Sequence, residues 1–415
     1  MELIRTLRLT LKAVTTGGWA YRSWLALLVG LIAWGGGAYL NQFNEGLIVT
    51  NMRDQVSWAF YIGNFTFLVG VAAAAVTLVV PAYVYKWGPI KEVAILGEIL
   101  AISAIVMCML FVAVDMGRPE RVWHLIPGIG HMNFPHSVLA WDVLVLNMYL
   151  VLNVVIVAHV LYRGIQGKPY NAKFIVPLVL FSIPAAVSIH TVTAFLYAGL
   201  SGRPFWNASI LAPRFIASAF CSGPAIMLIL FQILQRTTKF AIKNEAMEKI
   251  AELMAYFMFL NLFLLGAEVF KEYYWQTEHV VHFQYLFSGL HGHNALVPFS
   301  TAFVVCGIAA FVLFLIPATR KNTVTRNIGC LLIYASVYIE KGLGLVIPGM
   351  TPDMLGEIYE YTPTLNELRV GAAIFSIGFL VFTLLTKIAI PIMNGEFAKK
   401  PAVDSHAPTE PAVAA

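Results

Sequence analysis

Ten stretches of about 20 apolar residues, divided by short polar loops, leave this chain one kind of solvent. A helix rises about 1.5 Å per residue, so each stretch is long enough to cross a bilayer's hydrocarbon core. The runs are residues 24–42, 57–85, 90–114, 135–162, 172–199, 209–235, 247–270, 295–317, 327–347 and 367–391. Only 12% of the 415 residues are charged, against roughly 25% in soluble domains. Soluble domains of this size could not be covered with so little polar surface. The sequence therefore predicts an all-α integral membrane protein with about ten transmembrane helices. Residues 57–85 are long enough to tilt or to extend past the lipid. The short aromatic stretch 279–290 belongs at the interface.

Lysine and arginine set the orientation. Of 27, 19 fall in the N-terminus, the even-numbered loops and the C-terminus; 7 fall in the odd-numbered loops and Lys341 lies inside the ninth run. That bias predicts a multi-pass protein of the cytoplasmic (inner) membrane with both termini in the cytoplasm. Residues 1–23 form a cytoplasmic N-terminal segment, 24–391 the transmembrane domain, and 392–415 a Pro/Ala-rich cytoplasmic tail expected to be disordered. The first run is read as a retained helix, since no convincing cleavage site follows it. The odd loops are long and carry Asp115, Glu120, Glu272, Glu278, Asp353, Glu357 and Glu360, giving an acidic, structured outer face. The net charge of +5 sits in scattered short loops, a topology signal and not a nucleic-acid surface. Cys108, Cys221, Cys306 and Cys330 lie in apolar runs without CxxC or CxxCH spacing. No iron–sulfur cluster or c-type haem is expected in this chain.

A faint repeat is visible. Asp115 precedes His136 by 21 residues, and Glu272 precedes His293 by 21. Helices 2–5 and 6–9 would then be two four-helix bundles in parallel (about 57–199 and 209–347), with one flanking helix at each end of the chain.

Ionisable groups inside a bilayer cost several kcal/mol unless paired or hydrated, so each is a functional candidate. They are Glu98, Asp142, His159, His190, Glu252, Glu268, Glu340 and Lys341. Asp142, beside Trp141, is about two turns into helix 4. It either holds a neighbouring helix or accepts a proton from a quinol headgroup. His190 in helix 5 can donate to a quinone carbonyl or accept from a quinol; a structural bond to a helix carbonyl explains it as well. Haem b would need a second histidine at matching depth, and His159 lies too near the inner end. Asp115-Met116-Gly117-Arg118-Pro119-Glu120-Arg121 closes helix 3. Gly117 and Pro119 break the helix and leave Asp115 and Arg118 free to pair with each other or to hold a headgroup. Tyr61 and Asn64 share a face at the outer start of helix 2. Arg214, at the outer start of helix 6, either binds a ligand or anchors the interface. Glu340 and Lys341 are adjacent, so they are expected to face different neighbours, with Glu268 a possible partner for Lys341. Together with Glu98 and Asp142, these three residues form the expected proton path. No metal site is expected.

The helix-3 exit Asp115–Arg121 resembles the D-x-G-R-P motif of the NrfD-like family, the membrane subunits of polysulfide reductase and related complexes. Ser137-Val138-Leu139-Ala140-Trp141-Asp142 resembles the start of that family's next helix. Trp58–Gly70 and Asn261–Tyr274, with Gly266-Ala267-Glu268-Val269-Phe270-Lys271-Glu272, look like its ten-helix branch, which includes DsrP, HmcC and QrcD. The resemblance covers residues 40–390 and leans toward DsrP. It implies two four-helix bundles, exchangeable menaquinone, no haem or iron–sulfur cluster in this subunit, and a periplasmic ferredoxin-like iron–sulfur subunit beside the quinone site. A multihaem cytochrome c, a haem b membrane subunit and a cytoplasmic iron–sulfur subunit are further partners of such complexes. Asp115 and Arg118 carry over on the motif. Asp142 stands where shorter family members have a small residue.

The leading expectation is a quinone-interacting subunit of a respiratory electron-transfer complex in dissimilatory sulfur metabolism, with or without proton translocation. Its site would be Tyr61, Asn64, Asp115, Arg118, Trp141, Asp142, His190 and Arg214, with Asp142, His190 and Asp115 handling protons. The alternatives are a secondary transporter or ion pump, and a structural anchor for redox subunits. Against a transporter, no paired mid-membrane Gly/Pro interruptions mark both halves.

Overall fold

The computed structural model describes residues 2–397, leaving out 74, 86, 92, 127 and 239. Most of the tail expected to be disordered, 398–415, lies outside the described residues. Each of the ten apolar runs forms a helix long and apolar enough to cross a membrane. They are α1 (Trp19–Glu45), α2 (Phe60–Tyr83), α3 (Ala94–Asp115), α4 (Val138–Ile165), α5 (Ala172–Ala198), α6 (Leu211–Thr237), α7 (Asn244–Trp275), α8 (Val297–Leu315), α9 (Thr323–Met350) and α10 (Leu365–Met393). Among the described residues there is no strand, only an isolated bridge between Leu290 and His293. This is what hydrocarbon demands: a helix satisfies its backbone internally, where an open strand cannot.

Neighbours are fixed by short connections. α2 packs on α3, α3 on α4, α4 on α5, and α5 returns to α2. α6 packs on α7, α7 on α8, α8 on α9, and α9 returns to α6. α2 and α5 both touch α6, and α2 touches α9. The chain's two end helices, α1 and α10, lie against each other, and α10 also packs on α3. Gly35 makes that pairing close, because a Cβ there would come within 2.1 Å of the Arg369 carbonyl oxygen. Arg369 reaches back to donate to Trp34 O at 2.9 Å.

Three local features depart from plain helices. α2 ends in a π-turn, Val80–Val84, carrying Pro81; proline cannot donate the N–H a regular turn needs. α5 holds Pro177 and Pro184 yet stays continuous. α9 is interrupted at Gly342, between Thr323–Lys341 and Leu343–Met350. The α2 backbone passes tightly over this break, since a Cβ on Gly63 would lie 3.2 Å from the Gly342 carbonyl carbon. The aromatic stretch forms a short helix, Val280–Phe287, seated on α8 and the last segment of α9.

The loop 351–364 is organised by one carboxylate. Thr364 and Glu367 form a capping box at the start of α10, the S/T-x-x-E pattern that satisfies two free N–H groups reciprocally. Glu367 is fully buried. It also accepts from the Asn51 N–H at 3.0 Å and from the Tyr361 hydroxyl.

Candidate functional site

A buried ion cluster joins α6, α7 and α9 toward the ends that meet the odd-numbered loops. Arg214, three residues into α6, directs one guanidinium nitrogen to Glu268 of α7 and the other to Glu340 of α9, the second at 2.8 Å. Asn261 of α7 donates to the other Glu340 oxygen at 2.8 Å. Lys341 Nζ lies 3.5 Å from Glu340 without hydrogen-bond geometry, and 4.8 Å from the centre of the Phe215 ring. Arg214, Glu268, Glu340 and Lys341 are all buried. Only the planar fork of arginine reaches two carboxylates on different helices at once.

This corrects two expectations. Glu340 and Lys341, expected to face apart, meet in one cluster. Adjacent helical side chains do diverge, but the helix ends at Lys341, before the Gly342 break, and the long lysine stem curls back. Glu268, a possible partner for Lys341, is bound by Arg214 and also lies near enough to act on the Lys341 charge. Arg214 is a buried bridge and not an interface anchor.

A second polar site lies between α4 and α5. Asp142, buried four residues into α4, accepts from the Thr193 hydroxyl at 2.8 Å. His190 stands one turn before Thr193, so the two side chains share a face of α5. Its Nδ1 lies 3.2 Å from Ala186 O, and its buried Nε2 has no hydrogen-bond partner. Since a carbonyl only accepts, Nδ1 carries the proton and Nε2 presents a lone pair. A small cavity of about 10 Å³ abuts His190, lined by Ala73, Ala186, Val187, Ile216, Ala219 and Phe220. That is room for about one water, not a quinone ring. Phe215 links the two sites: it lies under Lys341 and beside Tyr197, whose hydroxyl bonds Thr66 of α2.

The other expected residues are spread more widely. Tyr61 donates to Gln42 of α1 at 2.7 Å. Asn64 accepts from Tyr338 of α9 at 2.9 Å, so α2 carries polar links to both neighbours. Asp115 is half-buried, with one enclosed oxygen unpartnered. Arg118 does not meet it: it is exposed and pairs with Glu120 at 3.5 Å, because Met116–Arg118 turn away from the α3 axis. Trp141 is exposed beside Phe134 and donates to Pro135 O at 2.8 Å. Glu98 is buried with one unpartnered oxygen. It sits 17 residues before Asp115 on α3, about 25 Å along the axis, at the membrane's other face. Glu252 is partly exposed and bound by Lys249 and Tyr256. His159 accepts from the Asn171 N–H at 3.3 Å. The matched acid–histidine spacings do not make matched pairs: His136 is exposed, and His293 lies 3.6 Å from Glu360.

Thr193 and Asn261, which complete the two sites, escaped sequence reasoning. Neither is charged, so neither stands out in an apolar run. Asn261 does lie seven residues, about two helical turns, before Glu268 on the same helix.

Known proteins share this chain's pattern across most of its length. The family model for polysulphide reductase, NrfD, matches residues 48–350. A membrane protein of Halobacterium salinarum, provisionally named as part of a dimethyl sulfoxide reductase, is 25% identical over 400 residues, covering 87% of this chain and 89% of that one. A selenate reductase subunit of Mesobacillus selenatarsenatis is 22% identical, covering 85% and 90%. The Hdr-like menaquinol oxidoreductase integral membrane subunit of Archaeoglobus fulgidus is 22% identical, covering 89% and 93%.

Proposed function

The chain belongs to the NrfD, polysulphide reductase, family, and from that premise we propose that it is the quinone-reactive membrane subunit of a multisubunit oxidoreductase. The α2–α5 and α6–α9 groups are its two four-helix bundles, and both termini face the cytoplasm. The observation that carries the reading is the α4–α5 site: a buried carboxylate tied to Thr193, beside a buried histidine nitrogen with a free lone pair. Oxidation of a quinol releases two electrons and two protons. His190 Nε2 is placed to accept one hydroxyl proton and Asp142 the other. The electrons pass to a redox centre on a partner, a periplasmic ferredoxin-like iron–sulfur subunit or cytochrome. The polar groups suit a quinol; the space enclosed at His190 does not hold its ring. Contact therefore comes from the lipid side, past Val187, which is exposed, with Phe220 turning aside.

Menaquinol is the quinol favoured, because a relative matched over nearly its whole length is named a menaquinol oxidoreductase subunit. Sulfur metabolism, and the DsrP-like reading within it, has weaker support, since another relative is named for selenate. A second reading, ion or proton translocation, is favoured by the Arg214 cluster, whose four charges lie where bilayer burial is costly.

The test is oxidation of a menaquinol analogue by the purified complex. Asp142→Asn and His190→Phe are each expected to lower turnover about 100-fold or more, with subunit assembly unchanged. Full turnover in both assembled variants would leave the chain a structural anchor.

A further inference from the structure

The face opposite the ion cluster carries a site that quinone chemistry does not use. Where α4 ends and α5 begins, an open groove of about 380 Å³ is lined by His159, Arg163, Tyr170, Asn171 and Lys173. Binding pockets for small ligands run from roughly 300 to 1,000 Å³. Arg163 Nε donates to Pro169 O at 3.0 Å, which fixes the guanidinium against the turn. Lys91 lies 5.4 Å from the centre of the Tyr170 ring and brings a further cation. His159 Nε2 accepts from the Asn171 N–H, so Nδ1 carries the proton and is a donor. Residues 159–173 contain no Asp or Glu. Among the described residues no carboxylate pairs with Arg163, Lys173 or Lys91, whereas Arg214, Lys249 and Lys271 each have one.

Uncompensated cations around a groove call for an anion with several acceptor oxygens. The place identifies its source. Both helix ends sit at the membrane edge, flanked by Tyr162 and Phe174, which are 44% and 45% exposed. Aromatic residues at that level mark the headgroup layer. A free phosphate makes no use of the exposed faces of these rings, whereas a phospholipid brings its glycerol and acyl groups to them. We propose that this pocket binds the phosphate headgroup of an anionic phospholipid from the leaflet on the basic-loop side.

The experiment is thermal melting of the full-length chain in neutral detergent, with phosphatidylglycerol, phosphatidylcholine or inorganic phosphate added. Phosphatidylglycerol is expected to raise the melting temperature, and the other two to leave it in place. Arg163→Gln combined with Lys173→Gln is expected to require about 30-fold more phosphatidylglycerol for the same shift. Lys173→Gln alone, at an exposed position whose N–H bonds Asn171 through the backbone, is expected to require about fivefold more and keeps the test open if the double variant fails to fold. Equal shifts with phosphatidylcholine, or an unchanged response in a folded variant, overturn the site. A full shift with inorganic phosphate overturns the lipid assignment.

Discussion

Arg214 shows how one side chain can decide whether three helices stay together. It is buried between two carboxylates on separate helices, and Asn261 serves only Glu340. Replacing it with methionine would roughly keep the volume and leave two buried acids with Lys341 alone near them. Breaking a buried pair this way costs about 3–5 kcal/mol, because the remaining charge has no compensation. Arg214→Met is therefore expected to lower the detergent melting temperature sharply. Lys249→Met, which breaks a pair with 47% of its lysine side chain exposed, is expected to change stability by about 0–1 kcal/mol. Equal effects from the two would mean that water reaches the cluster. Arg214→Lys is not a rescue, since a point charge cannot bridge two helices as a fork does.

Among the elements, the short helix Val280–Phe287 ties the α7–α8 loop to the α9 end, and it does so through a titratable group. His282 Nδ1 lies 2.7 Å from Pro348 O and 3.2 Å from Thr351 O. Burial holds its pKa below the usual histidine value, against the raising effect of those two carbonyls. A depressed pKa means that the folded chain keeps His282 neutral while the unfolded chain protonates it below about 6.5. The contribution is thus complete above that pH and is lost as pH falls below it. The native chain is expected to lose more melting temperature between pH 6.5 and 5 than His282→Asn, whose amide can donate to the same carbonyls without titrating. Parallel pH curves for the two would show that His282 stays neutral in the unfolded chain as well. Such seats were partly legible in the sequence. All ten spans could be read from apolar length, within a few residues at each end, because hydrocarbon permits few alternatives. The 279–290 stretch, placed at the interface from its sequence, forms a short helix packed on α8 and the end of α9. The Gly342 break was not legible, since a single glycine in an apolar run is common. Only the glycine opposite it, Gly63, shows what the break accommodates, and that contact spans most of the chain. Charge marked Arg214, Glu268, Glu340 and Lys341, but the pairing among them depended on helix rotation, which apolar runs with little amphipathic pattern do not encode.

At the scale of the whole molecule, the sidedness of the two polar sites follows from orientation. Asp142, Thr193, Arg214 and Glu268 lie in the helix turns next to odd-numbered loops, and the basic groove lies at an even-numbered one. With 19 of 27 basic residues on the even side, the proposed orientation, both termini in the cytoplasm, would put the Asp142–His190 site and the ion cluster toward the outer face. Protons taken from a quinol there have the shorter route outward, so quinol oxidation at this site would release them on that side. Cysteine labelling reads this directly. Cys108, Cys221 and Cys330 are buried, and Cys306 lies half-buried in the middle of α8, so native thiols give little background. Met354, 80% exposed in the 351–364 loop, and Lys168, exposed in the α4–α5 turn, report opposite faces. Met354→Cys is expected to react with a membrane-impermeant maleimide in spheroplasts, and Lys168→Cys only after lysis. The reverse pattern would place the carboxylate and histidine toward the cytoplasm, and the same oxidation chemistry would then deliver its protons inward.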